Sequence, residues 1–352
     1  MKFLYSSMFI DEDINDIESI IDNIGNDKVE LILDSNICIF LRDFYKEPSV
    51  ITARTEIWGE LKKLLYLIEY NDLEVDFYLG LEESSRSKSN FEIIEDKFFD
   101  AFNALSNLFS MDYLQMIEHS KLIKFDTPIK DNSLKQPSKM KALEQSGVFQ
   151  NQLFLNYACL LKLYLLVEEK SEWENVDKMK LYLDFLEEDL DFLGATNILF
   201  GHLLLSGEDK SQKLIHPQKK KRKQREEVIH AIWNAAIDLT FPVLVTQKFF
   251  DRTKVPIFVT GDENCWRIFN SLKMRAMITD NNGLATSPFV EMDLSNTLWN
   301  NEELLDINQY HDAIIDRRKY YNITRNKNLS KILEALRVTC YGLEKEVREL
   351  LA

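Results

Sequence analysis

The sequence predicts an α/β fold, a parallel sheet with helices on its faces. Short apolar runs end in acids or small polar residues, and long helical stretches separate those runs. Residues 29–33 are nearly continuous in apolar side chains, as a strand covered on both faces should be, and stop at Asp34-Ser35-Asn36. A second strand over 75–79 runs into Gly80-Leu81-Glu82-Glu83. A third over 255–259 ends at Thr260-Gly261-Asp262, and a weaker fourth over 275–279 ends at Asp280. Between the second and third, the stretch from 91 to 250 is mostly helical. Phe98, Phe102, Leu105 and Phe109 recur there at helical spacing, as do Leu153, Leu160 and Leu163. Residues 329–351 form another amphipathic helix. Two stretches, 126–139 and 206–225, read as surface loops, neither long enough to link separate domains. The organisation predicted is one domain over 1–352, with a core at about 28–90 and 226–290. A helical insertion over 91–225 and a helical C-terminal extension over 291–352 complete it.

Composition narrows the function. The 352 residues are 45% apolar and 29% charged, enough for a substantial core and unlike a disordered chain. Asp and Glu number 58 against 43 Lys and Arg, a net charge of -15. So acidic a chain repels nucleic acid at long range, and a phosphate partner must be met by a local basic patch. Cys38, Cys159, Cys265 and Cys340 lie far apart without a Cys-x-x-Cys pair, which argues against a zinc site or disulfide framework and suits a reducing cytoplasm. Neither a signal peptide nor a run of 18 apolar residues is read, so a cytoplasmic protein without a membrane partner is expected.

The informative residues are the acids at strand ends, because open parallel sheets bind ligands beyond the carboxyl ends of their strands. Asp34, Glu82 or Glu83, and Asp262 each follow a strand. Asp238 sits in an otherwise apolar helix, on the same face as Asn234. Carboxylates gathered in one cleft repel each other by roughly 4 kcal/mol per pair at 4 Å for an effective dielectric near 20. A divalent cation removes that cost, and oxygen ligands without His or Cys point to one or two Mg²⁺ or Mn²⁺ ions.

Three segments carry a resemblance: Leu31-Ile-Leu-Asp34-Ser-Asn36, Asn234-Ala-Ala-Ile-Asp238-Leu, and Ile257-Phe-Val-Thr260-Gly-Asp262. Together they resemble the motifs of the PIN-domain nucleases. The resemblance implies a Rossmann-like sheet and a metal-dependent acid pocket that cuts mostly single-stranded RNA. Matched by position, Asp34, Glu83, Asp238 and Asp262 become the catalytic and metal-holding acids, supported by Asn36, Asn234 and Thr260. Glu82 is the alternative to Glu83. The resemblance covers about 28–83 and 226–285, and the long insertion departs from a compact PIN domain.

The expected activity is endonucleolytic hydrolysis of RNA phosphodiesters, in a toxin, a defence effector or an RNA-processing enzyme. A structure-selective DNA nuclease of the flap type and a catalytically silent PIN-like scaffold are the alternatives. Lys219, Lys220, Lys221, Arg222, Lys223 and Arg225, just before the Asp238 helix, are the expected backbone clamp, or else a solvated loop. The insertion would shape the groove or bind a protein partner or second copy. Blander roles exist as well: Asp34-Ser35-Asn36 suits a helix cap, Thr260-Gly261-Asp262 a turn, and Glu82 and Glu83 a first helical turn.

Overall fold

The computed structural model describes all residues except 12, 13, 15, 16, 88–91, 126–136, 218–223, 253, 280–284, 322–328 and 352. At 137–150, 247–252, 277–279, 285–288, 319–321 and 329–334 it describes the backbone alone. The chain is mixed α/β and 67% helical. It divides into two compact units: one of residues 1–147 and 241–289, the other of 148–240 and 290–352. These boundaries cut across the 91–225 insertion drawn from the sequence.

In chain order the first unit begins with β1 (Leu4–Ser6), α1 (Ile17–Ile24), β2 (Val29–Leu33), α2 (Ser35–Lys46), α3 (Pro48–Thr52) and α4 (Thr55–Tyr70). It continues through β3 (Glu74–Asp76), α5 (Tyr78–Ser84), α6 (Glu95–Leu108) and α7 (Tyr113–His119). Then come α8 (Pro137–Glu168), α9 (Asn175–Asp184), a π-helical turn (Phe185–Asp189), α10 (Ala195–Leu205), α11 (Asp209–Ile215), α12 (Arg225–Asp238) and α13 (Thr240–Arg252). The chain closes with β4 (Val255–Thr260), α14 (Glu263–Asn270), β5 (Leu272–Thr279), β6 (Ala285–Met292), α15 (Asn301–Tyr321) and α16 (Leu329–Leu350).

The sheet of the first unit has the order β1-β4-β2-β3. β2 runs parallel to both β3 and β4, with Leu33 opposite Val259, while β1 lies antiparallel on β4, with Leu4 opposite Thr260. Every residue of β2 is buried, the pattern of a strand covered on both faces. Leu31, Leu33, Ile257 and Val259 join one core with residues of α1, α2 and α4 to α7. On the other face Phe258 packs 5.1 Å from both Phe241 and Phe269.

Three sequence expectations change. The second strand stops at Asp76 rather than 79, because the Asp76 carboxylate accepts the Tyr78 backbone N–H at 2.8 Å and turns the chain into α5. The fourth expected strand, now β5, pairs with β6 in a separate two-stranded sheet. Its place beside β4 is taken by β1, a three-residue strand too short to leave a periodic signal. The expected loop 206–225 contains α11, whose N-terminus is capped by Glu208 accepting from Ser211 N at 2.6 Å.

In the second unit, helices pack around an apolar core that holds a small buried polar cluster. Asn156, fully buried, donates to Thr240 Oγ1 at 2.9 Å and accepts at Oδ1 from Asn197 Nδ2 at 3.0 Å. Among the described residues, the helical stretch Arg225–Thr246 is long and apolar enough to cross a membrane, but 72% of it is buried inside the protein, as in a core helix.

Candidate functional site

The strand order reverses at β2: its crossover through α2 to α4 leads to β3 on one side, while the much later β4 joins on the other. The carboxyl ends of β2 and β4 therefore form a topological switch point, where ligands of open α/β sheets bind. Asp34 follows β2 there, and Thr260 ends β4.

Asp34 is buried and held from three directions. Its Oδ2 accepts the Thr260 hydroxyl at 2.6 Å, and its Oδ1 accepts Ser35 Oγ at 3.2 Å and the Asn36 backbone N–H at 3.4 Å. It thus caps α2 and at the same time ties β2 to β4. Asn36 contributes only its backbone, and its side chain is exposed. Thr260, fully buried, also accepts the Asp262 N–H at 3.0 Å. Asp262 is half-buried and caps α14, accepting from Asn264 N at 2.7 Å and Cys265 N at 3.2 Å.

Glu83 arrives from α5, and Gly80 is what lets it. A Cβ at Gly80 would come within 2.7 Å of Cys38 Sγ and of the Leu33 carbonyl oxygen, so α5 packs straight onto the β2–α2 junction. One turn later the Glu83 carboxylate lies beside Asp34. Its Oε2 is buried without a hydrogen-bond partner, while Ser35 meets the carboxylate through its hydroxyl. Burial, and then the charge of Asp34, push the Glu83 carboxyl up to about 8. Burial also raises Asp34, with a smaller contribution from Asp262, against the lowering effect of its hydrogen bonds. Burial is the main cause for both carboxyls, opposed at Asp34 by three hydrogen bonds and at Glu83 by the one from Ser35. Cys38 lines the floor, and burial followed by both acids holds its thiol far above the reactive range.

Glu82 faces elsewhere. It forms a buried ion pair with Arg86, and burial outweighs that partner, raising its carboxyl to about 7. Asp238 and Asn234 belong to α12 in the second unit, Asp238 half-buried and Asn234 exposed. Among the described residues, no three of His, Cys, Asp and Glu are grouped to hold an ion. What the sheet end assembles is the pair Asp34–Glu83, with Asp262 near enough for Asp34 to feel its charge. Lys219 to Lys223 and Asp280 lie outside the described residues; Arg225 is exposed and its Nε donates to the Leu351 carbonyl at 3.4 Å.

Two contributors escaped the sequence reading. Asp76, buried at the end of β3, sets where α5 begins, and a lone acid within an apolar strand pattern was its available signal. Ser35, buried between the two acids, donates to Asp34 and bonds Glu83.

The pair suits a hard divalent cation. A buried carboxylate oxygen without a donor, beside a second buried carboxylate, is an arrangement that positive charge relieves. Mg²⁺ is commonly held by one or two carboxylates, with water and phosphate completing the shell. Compared with protein-family models, curated proteins and solved structures, the chain matches none.

Proposed function

We propose that this protein is a metal-dependent nuclease that hydrolyses phosphodiester bonds, with single-stranded RNA in the cytoplasm as the favoured substrate. The observation that carries the reading is the buried Asp34–Glu83 pair at the switch point of the sheet, with a Glu83 oxygen that has no donor. The motifs around Asp34 and Thr260-Gly261-Asp262 that resemble PIN-domain nucleases lie at the two strand ends that meet there.

Asp34 and Glu83 would hold Mg²⁺ or Mn²⁺. A bound ion supplies charge neutralisation for a phosphate and a more acidic water. The protein's own groups prepare the site. Thr260 fixes Asp34 Oδ2, and Ser35 bonds both acids, so neither carboxylate must reorganise when substrate arrives. Asp262 lends further negative charge from the end of β4.

The test uses fluorogenic single-stranded RNA and DNA with Mn²⁺ or EDTA. Wild type is expected to cleave RNA faster than DNA and only with metal, while Asp34→Asn and Glu83→Gln each lose at least about 100-fold, the scale of removing one preorganised charged group from an active site. Full activity in both purified variants would remove the site assignment. Cleavage confined to DNA would turn the reading to the flap-type alternative. A second reading, a catalytically silent scaffold, is favoured by the cap roles of Asp34 and Asp262, and absence of cleavage on every substrate with Mn²⁺ would establish it.

A further inference from the structure

An aromatic array stands on the outer face of α4. Tyr66 and Tyr70, one helical turn apart, stack with ring centroids 5.3 Å apart and planes 17° from parallel. Tyr113 at the start of α7 sets its edge against Tyr66, also at 5.3 Å and at 72°. Tyr70 is 70% exposed and Tyr66 42%, yet the two rings hold each other and Tyr113 holds Tyr66. Exposed rings fixed in advance offer large contact area at little entropic cost.

Two further observations give this face a direction. A groove of about 260 Å³ is lined by Lys2, Leu4, Tyr5, Glu60, Lys63 and Tyr66, among others. Its Leu4 end lies opposite Thr260 in the sheet, and Met1 rests against Gly261, so the groove starts at the edge that carries the acids. Its other end is Tyr66. Lys62 and Lys63 project from the same outer face of α4. Glu60, the acid between them and the sheet, is met by Lys63 at 2.8 Å and by the Phe3 N–H at 3.3 Å, while Glu18 also lines the groove and Glu69 is exposed on α4 between Tyr66 and Tyr70.

We propose that this face is the track for a single-stranded nucleic acid leaving the Asp34–Glu83 pair. Bases continue the Tyr66–Tyr70 stack, and Lys62 meets phosphates. This rests on the nuclease reading. A stacked pair of rings flanked by lysines suits bases, which stack on aromatic side chains without regard to sequence. The lysines beside the rings disfavour a protein partner, because lysine is depleted from protein interfaces. Ten residues of helix separate Glu60 from Tyr70, about 15 Å. Only a strand of several nucleotides can therefore run from Glu60 to the outer ring.

The experiment measures binding apart from cleavage. Full-length Glu83→Gln protein in EDTA is titrated with dye-labelled RNA of 12 and of 3 nucleotides, followed by anisotropy. Adding Tyr66→Ala and Tyr70→Ala is expected to weaken the 12-mer at least about tenfold and leave the 3-mer unchanged, as loss of stacking requires. The Phe pair should retain 12-mer affinity, and matching thermal melts exclude misfolding. Unchanged 12-mer affinity in the Ala pair overturns the track and returns this face to a protein partner. So does a loss by the Phe pair equal to that of the Ala pair. If wild type cleaves RNA while the Ala pair binds normally, only the track falls. If wild type neither binds nor cleaves, the nuclease reading falls and takes the track with it.

Discussion

In the second unit, Asn156 is fully buried on α8 and surrounded by neutral partners: Thr240, Asn197 and the Gln152 amide at 3.1 Å. In the first unit, the buried polar groups at the sheet end are two carboxylates, one of which keeps an oxygen without a donor. The neutral network also keeps one buried oxygen without a donor, Asn197 Oδ1, but carries no charge, so its hydrogen bonds fix one packing arrangement without repulsion. A carboxylate pair in the same surroundings opposes stability, and its persistence is the mark of a site whose charge awaits a partner. The contrast separates scaffold from chemistry within one chain.

The largest effect tests the scaffold side. Asn156→Ala removes one member and strands the Asn197 and Gln152 amides, each buried or half-buried, while Thr240 keeps its bond to the Ala236 carbonyl. We expect a loss of about 3 kcal/mol, from roughly 1–3 kcal/mol for each polar group left unmatched. Urea unfolding measures it, and a loss below about 1 kcal/mol would mean that the network contributes little. Gly80→Ala should cost less, about 2 kcal/mol, because its Cβ meets Cys38 and the Leu33 carbonyl and α5 must lift. The same variant should lose cleavage as Glu83 moves away from Asp34, and unaltered turnover would detach the site from Gly80.

The smallest effect concerns pH and has a definite sign. Glu83 is raised to about 8 and Glu82 to about 7, both above the usual 4.5. As pH rises through this interval the unfolded chain gives up these protons first. Stability without metal is therefore greatest near pH 5, declines up to about pH 8 and then levels off. Glu83→Gln should flatten the decline, leaving the shares of Glu82 and Asp34, and should be about 1 kcal/mol more stable than wild type at pH 8 once the buried charge and its repulsion are gone. Thermal melts in EDTA from pH 5 to 9 test it. An equal slope in both proteins would mean that neither burial nor the charge of Asp34 raises the Glu83 carboxyl.

Much of the sheet was legible because β2 and β4 are continuous apolar runs closed by acids, a pattern that long-range pairing leaves intact. Residues 77–83 were not, since an apolar run that short fits strand or helix alike, and only the Asp76 turn and the tight approach at Gly80 decide for α5. Of the expected site, Asp34, Thr260, Asp262 and Glu83 are assembled at one sheet end. Asp238 occupies another unit, and nothing in its local sequence encodes that division. The choice between Glu82 and Glu83 depends on Arg86, four residues on, whose pairing with Glu82 is a tertiary fact as much as a helical one.

The hydroxyl bond from Thr260 to Asp34 joins residues 226 positions apart. The β2–β4 ladder beneath it can form only after nearly three quarters of the chain has left the ribosome, whereas β2 and β3 pair early across a short segment. Closing so long a loop is slow, and the strand edge of β2 stays open until it happens. Asp34 and Glu83, both within the first quarter of the chain, can therefore meet early, whereas Thr260 and Asp262 join them only once most of the chain has been made.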